Sequence, residues 1–125
     1  MPARTPEDVH AVLEDAFNRA DLDAYTAAYE PDATLVVPPE GRIVSGRADI
    51  RVATAPVFAT RPRMRSRVLR KLEAGELAVT QARWELAGTG TDGNPMTLTG
   101  RGTIVSRRRP DGTWGILIDD PMSPE

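Results

Sequence analysis

The stretch DLDAYTAAYEPDATLVVPPEG, residues 21–41, decides the fold. Asp21 can cap a short helix whose inward face is formed by Leu22, Tyr25, Ala28 and Tyr29. Pro31-Asp32 ends that helix, because proline cannot donate the next helical hydrogen bond. Thr34–Val37 is a β-rich apolar run and predicts a strand, while the Pro/Gly exit at residues 38–41 predicts a turn.

A longer helix is predicted before this stretch, over residues 6–20. Thr5 can cap it, and Pro6 suits its first position. Its apolar stripe is Val9, Val12, Leu13, Ala16, Phe17 and Ala20. His10 is the only histidine of the chain. It follows Val9 toward the flank of the stripe, so we expect a solvated helix position rather than a catalytic one.

After the stretch, Arg42–Val44 predicts a return strand, and Ser45 or Gly46 opens a third helix. Pro56 should kink or shorten this helix. Its inward face is predicted to be Ile50, Ala53, Val57 and Phe58.

From Met64 onward the apolar period becomes two, which is typical of strands. Four strands are predicted: Met64–Glu73, Leu77–Gly88, Met96–Arg107 and Trp114–Asp120. Gly- and Asp-rich hairpin turns join them, including TGTDGNP at residues 89–95, so they are expected to be antiparallel. Helices first and a meander last predict an α+β fold, with helices on one face of a curved sheet.

Composition narrows the function classes. A chain of 125 residues predicts one domain, residues 1–125. The net charge of −2 argues against nucleic acid or an anionic membrane as a partner, and the arginine clusters are interpreted as solvated faces. Without cysteine and with one histidine, we expect no metal site and no cofactor. There is no long apolar run, so we predict a soluble, cytoplasmic protein.

The same stretch, together with SGRADI at residues 45–50 and RRPDGTWGILIDD at residues 108–120, resembles the nuclear transport factor 2-like superfamily. More narrowly, the chain looks like the SnoaL-like, ketosteroid-isomerase-like branch and its SgcJ/EcaC-type members. The resemblance implies a cone: a curved antiparallel or mixed sheet with three N-terminal helices packed on its concave face over a deep apolar pocket. It also implies a homodimer formed through the outer sheet face. It does not imply one reaction, because this fold hosts several chemistries and non-catalytic domains.

Ketosteroid-isomerase chemistry is not expected here. That site uses a carboxylate base with an oxyanion hole made of a tyrosine and a protonated aspartate. The resemblance places Val37 at the base position and Leu13 at the tyrosine position. The strand Met96–Ser106, which should hold the protonated acid, has no Asp or Glu.

Limonene-epoxide-hydrolase-like members activate water with an Asp-Arg-Asp set, which Arg83, Glu85 and Asp119 could imitate. Strand alternation argues against this set. The residues expected to face the pocket are Ala78, Thr80, Ala82, Trp84 and Leu86. Arg83 and Glu85 then point outward, and a slip of one residue would reverse this assignment.

Polyketide-cyclase-like members use an aspartate as acid and base in an apolar pocket, which draws attention to the last strand. The resemblance, anchored on the turn at Asp111-Gly112, places Gly115, Leu117 and Asp119 inward. The outward set is then Trp114, Ile116, Ile118 and Asp120. Hydrophobicity alone favours the opposite parity, which would bring Asp120 inward instead. A carboxylate in an apolar pocket has a raised pKa, as a general acid or base needs. The other interpretation of the acid at the end of this strand is that it is merely solvated.

These arguments leave Asp119 as the candidate catalytic residue and Asp120 as the runner-up. The predicted ligand is a small apolar or aromatic molecule. Its predicted contacts are Leu13, Phe17, Val37, Phe58, Trp84 and Leu117.

Two functions rank above a third open class, a nucleic-acid or protein adaptor, which would need the arginine-rich strand to form one exposed patch. One is a binding protein or a cofactor-independent isomerase-, cyclase- or hydrolase-like enzyme. The other is a non-catalytic dimeric domain whose own side chains fill the pocket. A cavity of about 300 Å³ or more favours the first.

Overall fold

The computed structural model describes residues 2–90 and 92–123. Within these ranges it contains three helices and six strands. The elements are α1 (Asp8–Asn18), α2 (Leu22–Ala27), β1 (Tyr29–Val37), β2 (Arg42–Ser45), α3 (Arg47–Phe58), β3 (Arg63–Ala74), β4 (Leu77–Thr89), β5 (Pro95–Arg108) and β6 (Trp114–Asp120). The predicted α+β class and element order are confirmed. Thr91, in the predicted β4–β5 turn, lies outside the described residues.

The described strands form one curved, unclosed sheet in the order β2-β1-β6-β5-β4-β3. The neighbours pair antiparallel except β1 and β6, which are parallel. The sheet is therefore mixed. The parallel pair places the first strand of the sequence beside the last, and this brings β1 and β6 together at the concave face.

The helices differ from prediction at their ends. Helix α1 begins at Asp8, and the Thr5 side chain does not cap it. The Asp8 carboxylate instead accepts the backbone N–H groups of Arg4 and Thr5, at 3.1 Å each. Asp21 caps α2 as predicted, with Oδ1 accepting from the Ala24 N–H at 3.0 Å. Pro56 lies inside α3.

Tyr29 was predicted on the second helix, which is wrong. Helix α2 ends at Ala27, and Tyr29 is the first residue of β1, paired with Ile116 of β6. The Ile116 N–H donates to the Ala28 carbonyl at 2.9 Å, so strand pairing takes over where the helix would have continued. A register shift between Tyr29 and Thr34 accommodates the intervening residues, Pro31 among them.

The predicted parity of the last strand is wrong in its first half. Trp114 and Ile116 are buried in the core, whereas Ile118 is 43% exposed and Asp119 only 5%. On the neighbouring strand β5, Ser106 pairs with Ile116 and the next residue, Val105, pairs with Ile118. Leu117 is therefore the extra residue of a β-bulge, and the inward face changes from even to odd positions across it.

Gly115, predicted to face the pocket, faces the other side of the sheet. A Cβ there would collide with Glu30 Oε2 and would lie 2.7 Å from Arg109 Nε. Glu30 is buried, and its carboxylate accepts hydrogen bonds from Arg107 Nε at 3.1 Å and from Arg109 Nε at 2.7 Å. The missing side chain of Gly115 leaves room for this ion cluster beside the β1–β6 junction.

The core lies between the helices and the concave face. Phe17 of α1 stacks on Phe58 of α3 with ring centroids 4.7 Å apart, and both rings meet Tyr25 edge-on. These aromatic contacts tie the three helices together at one end of the cone. In the part of the chain that is described, no helix is both long and apolar enough to cross a membrane.

Candidate functional site

A cavity of about 340 Å³ lies between the helices and the concave face of the sheet. Helix α1 contributes His10, Leu13 and Phe17 to its wall, and the sheet contributes apolar side chains such as Trp84 and Ile104. The volume is at the lower end of the range for small-molecule sites. The aromatic rings at one end of the cone therefore do not fill it.

Asp119 faces this cavity, as predicted. Burial in these apolar surroundings raises its pKa from 3.8 to about 6, and the nearby charge of Asp120 adds to the increase. The hydrogen bond from Tyr29 acts in the opposite direction, because it favours the ionised carboxylate. The carboxyl group therefore changes its charge near neutral pH.

Asp119 stands at the end of a chain of buried hydroxyl groups. Tyr29 Oη donates to Asp119 Oδ2 at 2.5 Å, and Tyr25 Oη lies 2.8 Å from Tyr29 Oη. A phenol has one proton. Since Tyr29 gives its proton to Asp119, Tyr25 must be the donor to Tyr29. Burial raises the pKa values of both tyrosines, so both remain protonated.

Asp120, the runner-up, does not line the cavity. It is half-buried and pairs with Thr103 on the neighbouring strand, while Asp119 pairs with Ile104. Successive strand residues point to opposite faces, which separates the two acids. Of the two acids, Asp119 is therefore the one that faces the cavity.

His10 is a site residue that the sequence prediction missed. It is buried, lines the cavity, and places Nε2 2.7 Å from Thr80 Oγ1. Burial lowers its pKa from 6.5 to about 4, so the ring is neutral at pH 7. The predicted solvated position is wrong. The overlooked signal is helical spacing, because His10 precedes Leu13 by three residues and Phe17 by seven and so shares their face.

Four of the six predicted ligand contacts line the cavity: Leu13, Phe17, Val37 and Trp84. The other two do not. Phe58 packs on Phe17, and Leu117 is displaced by the bulge. Val37, which the sequence resemblance places at the position of the ketosteroid-isomerase base, is an apolar part of the wall.

The outward orientation predicted for the alternate residues of β4 is confirmed for Arg83 and Glu85. Arg83 is exposed, and Glu85 forms a 3.4 Å ion pair with Arg65 on the adjacent strand. The inward residues Ala82, Trp84 and Leu86 line the cavity. An epoxide-hydrolase-like set with Asp119 is therefore not assembled. Among the residues described, no group of three or more His, Asp or Glu side chains is placed to hold a metal ion.

Comparison with known proteins agrees with this architecture. The family model for the SnoaL-like domain matches residues 9–114. No curated protein matches the chain. A ketosteroid isomerase-like protein from Erwinia carotovora atroseptica superposes with a TM-score of 0.78 at 23% identity, covering 94% of each chain.

Two further solved structures have the same fold. A candidate dehydratase of the nuclear transport factor 2-like family from Streptomyces avermitilis gives a TM-score of 0.76 at 16% identity, with 93% of each chain covered. A candidate calcium/calmodulin-dependent protein kinase type II association domain from Thiobacillus denitrificans gives 0.76 at 21%, covering 98% of this chain and 99% of its own. At such identities the likeness is one of fold, and the chemistry depends on the cavity.

Proposed function

Because this chain belongs to the SnoaL-like domain family, within the nuclear transport factor 2-like superfamily, we propose that it is a small-molecule enzyme in which Asp119 moves a proton. The ligand is a small apolar or aromatic molecule held in the cavity. The observation that carries the proposal is the buried carboxyl of Asp119, which faces an apolar cavity and has a pKa of about 6. A general acid or base works best when its pKa lies near the working pH.

The proposed step needs no cofactor. At pH 7 Asp119 is mostly ionised, and its carboxylate removes a proton from a carbon next to a carbonyl group. The electrons of the broken C–H bond pass into the enolate. Return of the proton from Asp119 to another carbon gives an isomer. Transfer of that proton to a β-hydroxyl group, which leaves as water while the enolate electrons form the C=C bond, gives a dehydrated product and regenerates the carboxylate.

The tyrosines limit the substrate. In the hydrogen-bond chain, the Tyr25 proton goes to Tyr29 and the Tyr29 proton goes to Asp119. Neither hydroxyl then has a proton left for an enolate oxygen. This favours substrates whose own conjugation spreads the negative charge, such as aromatic or polyketide-like ketones.

A second function, a non-catalytic dimeric binding domain, is favoured by the outer face of the sheet. Four apolar residues form a row across neighbouring strands there: Leu72, Val79, Val105 and Ile118. Leu72 is 53% exposed and Ile118 43%. A second copy of the chain covering this row would remove an apolar patch from water, and we propose such a homodimer for either function.

Proton exchange tests the enzyme proposal without knowledge of the natural substrate. Tetralones, which are fused-ring ketones, are incubated in heavy water, and NMR follows replacement of the protons beside the carbonyl. We expect the wild-type protein to accelerate exchange and Asp119→Asn to slow it by about a hundredfold or more. For Asp120→Asn, the matched control, the exchange rate should stay within about threefold of the wild-type rate.

Two results would contradict the proposal. One is exchange that survives in Asp119→Asn. The other is tetralone binding without any exchange by the wild-type protein, which would favour the non-catalytic domain.

A further inference from the structure

We propose that His10 is a ligand-contacting residue that forms a second polar anchor in the cavity. The pocket would then select compact apolar molecules that carry an uncharged polar group at each end. This inference rests on the proposed function, because it requires that the cavity bind a ligand next to Asp119. It adds a substrate class and a residue that determines specificity.

Sheet register sets the distance between the two anchors. Asp119 of β6 pairs with Ile104 of β5, and Ile104 pairs with Thr80 of β4. The three residues thus form one row across the concave face. Neighbouring strands lie about 4.8 Å apart, so the Asp119 and Thr80 backbones are separated by roughly 10 Å. Ile104 lines the cavity between them.

His10 brings polar character to the Thr80 end of this row. Thr80 itself is completely buried and does not line the cavity. The His10 ring does line it, and its Nε2 is held at 2.7 Å from the Thr80 hydroxyl. This bond fixes the ring but uses only one of its two nitrogens. Among residues 2–90 and 92–123, the His10 ring makes this one hydrogen bond, so we infer that Nδ1 is the nitrogen that meets a ligand.

The chemistry of the two anchors defines the ligand's ends. A neutral imidazole has one donor and one acceptor nitrogen, so it suits a hydroxyl or carbonyl group. At the other end, the carboxylate of Asp119 repels anions. It can accept a hydrogen bond from a ligand hydroxyl group, or remove a proton from a ligand carbon atom. Between them the wall is apolar, with Leu13, Trp84 and Ile104. A fused two-ring molecule with a hydroxyl or keto group at each end matches this arrangement.

Two naphthalene probes separate the anchors. One is a naphthol with a single hydroxyl group, and the other is the diol with hydroxyl groups at opposite ends of the ring system. Isothermal titration calorimetry compares their affinities for the wild-type protein, His10→Leu and His10→Gln. Thermal unfolding of each variant confirms that it is folded.

We expect the wild-type protein to bind the diol about tenfold more tightly than the naphthol, as one added neutral hydrogen bond allows. His10→Leu should lose this preference while its affinity for naphthol stays within about threefold. His10→Gln, whose amide has both a donor and an acceptor, should keep most of the preference. If His10 had only a structural role, His10→Leu would lose affinity for both probes equally, and the ratio of the two affinities would stay unchanged.

The results also separate this inference from the proposed function. If the wild-type protein binds naphthol without preferring the diol, or if His10→Leu keeps the preference, the second anchor is wrong while ligand binding stands. If the wild-type protein binds neither probe, the ligand-binding function fails and the inference fails with it.

Discussion

The two ends of the cavity respond to burial in opposite ways. At one end, burial raises the pKa of Asp119 to about 6; at the other, it lowers the pKa of His10 to about 4. The cause is the same, because low polarity disfavours the charged form of either group. The result is an acid that titrates near neutrality and an imidazole that does not.

This difference indicates a division of roles. Asp119 can both release and accept a proton at physiological pH, as general acid–base chemistry requires. His10 keeps one protonation state there, so it offers a fixed donor and a fixed acceptor. Of the two anchors, Asp119 would react and His10 would orient the ligand.

The largest expected effect concerns His10 and stability in acid. Its pKa is about 4 when folded and 6.5 as an ordinary value, so the unfolded chain binds a proton first as the pH falls. Stability from neutral His10 is therefore complete above pH 6.5 and is lost as the pH falls to 4. His10→Gln removes this loss. Relative to the wild type, the variant should gain about 3 kcal/mol in free energy of unfolding between pH 7 and pH 4.

Urea unfolding at several pH values measures this difference. If the wild type and His10→Gln lose stability in parallel over that interval, His10 is not held neutral by the fold.

A slightly smaller effect of opposite sign is expected for Asp119. Its pKa is about 6 when folded and 3.8 as an ordinary value, so the folded protein holds the proton longer as the pH rises. Stability from the protonated carboxyl is complete below pH 3.8 and is lost as the pH rises through 6. Asp119→Asn should therefore gain about 2 kcal/mol over the wild type between pH 4 and pH 7. Urea unfolding at several pH values measures this difference as well. If the stability of Asp119→Asn relative to the wild type rises as the pH falls, the predicted direction is wrong.

Much of the fold was predictable because it depends on local patterns. The period-two runs after Met64 and the capped helix at Asp21 correspond to observed elements. The end of α2 was not predictable in this way. Whether Tyr29 continues a helix or starts a strand depends on its pairing with Ile116, a residue far along the chain.

The inward orientation of Asp119 was predicted correctly, although the alternation assumed along β6 holds only for part of the strand. Strict alternation along β6 placed Gly115, Leu117 and Asp119 on one face, and hydrophobicity favoured Trp114 and Ile116. Both were partly right, because the bulge at Leu117 changes the inward face midway. Nothing in WGILIDD marks this bulge. The bulge lies between two odd-numbered residues with different surroundings: Gly115 packs against Glu30 on one face of the sheet, and Asp119 faces the cavity on the other.

The smallest expected effect tests the hydroxyl chain that distinguishes the Asp119 end from the His10 end. Tyr29 Oη donates to Asp119 Oδ2 at 2.5 Å and stabilises its ionised form. In Tyr29→Phe this donor is lost, so the pKa of Asp119 should rise above its wild-type value by about one unit, the lower range for a hydrogen bond to a charged group. Carbon-13 NMR of the carboxyl group can follow the titration directly. Tyr25→Phe is the matched control: it removes the next hydroxyl, 2.8 Å further along, and should move the pKa less. Equal shifts in the two variants would mean that the carboxyl group responds to the loss of either hydroxyl alike, and not to the direct bond from Tyr29.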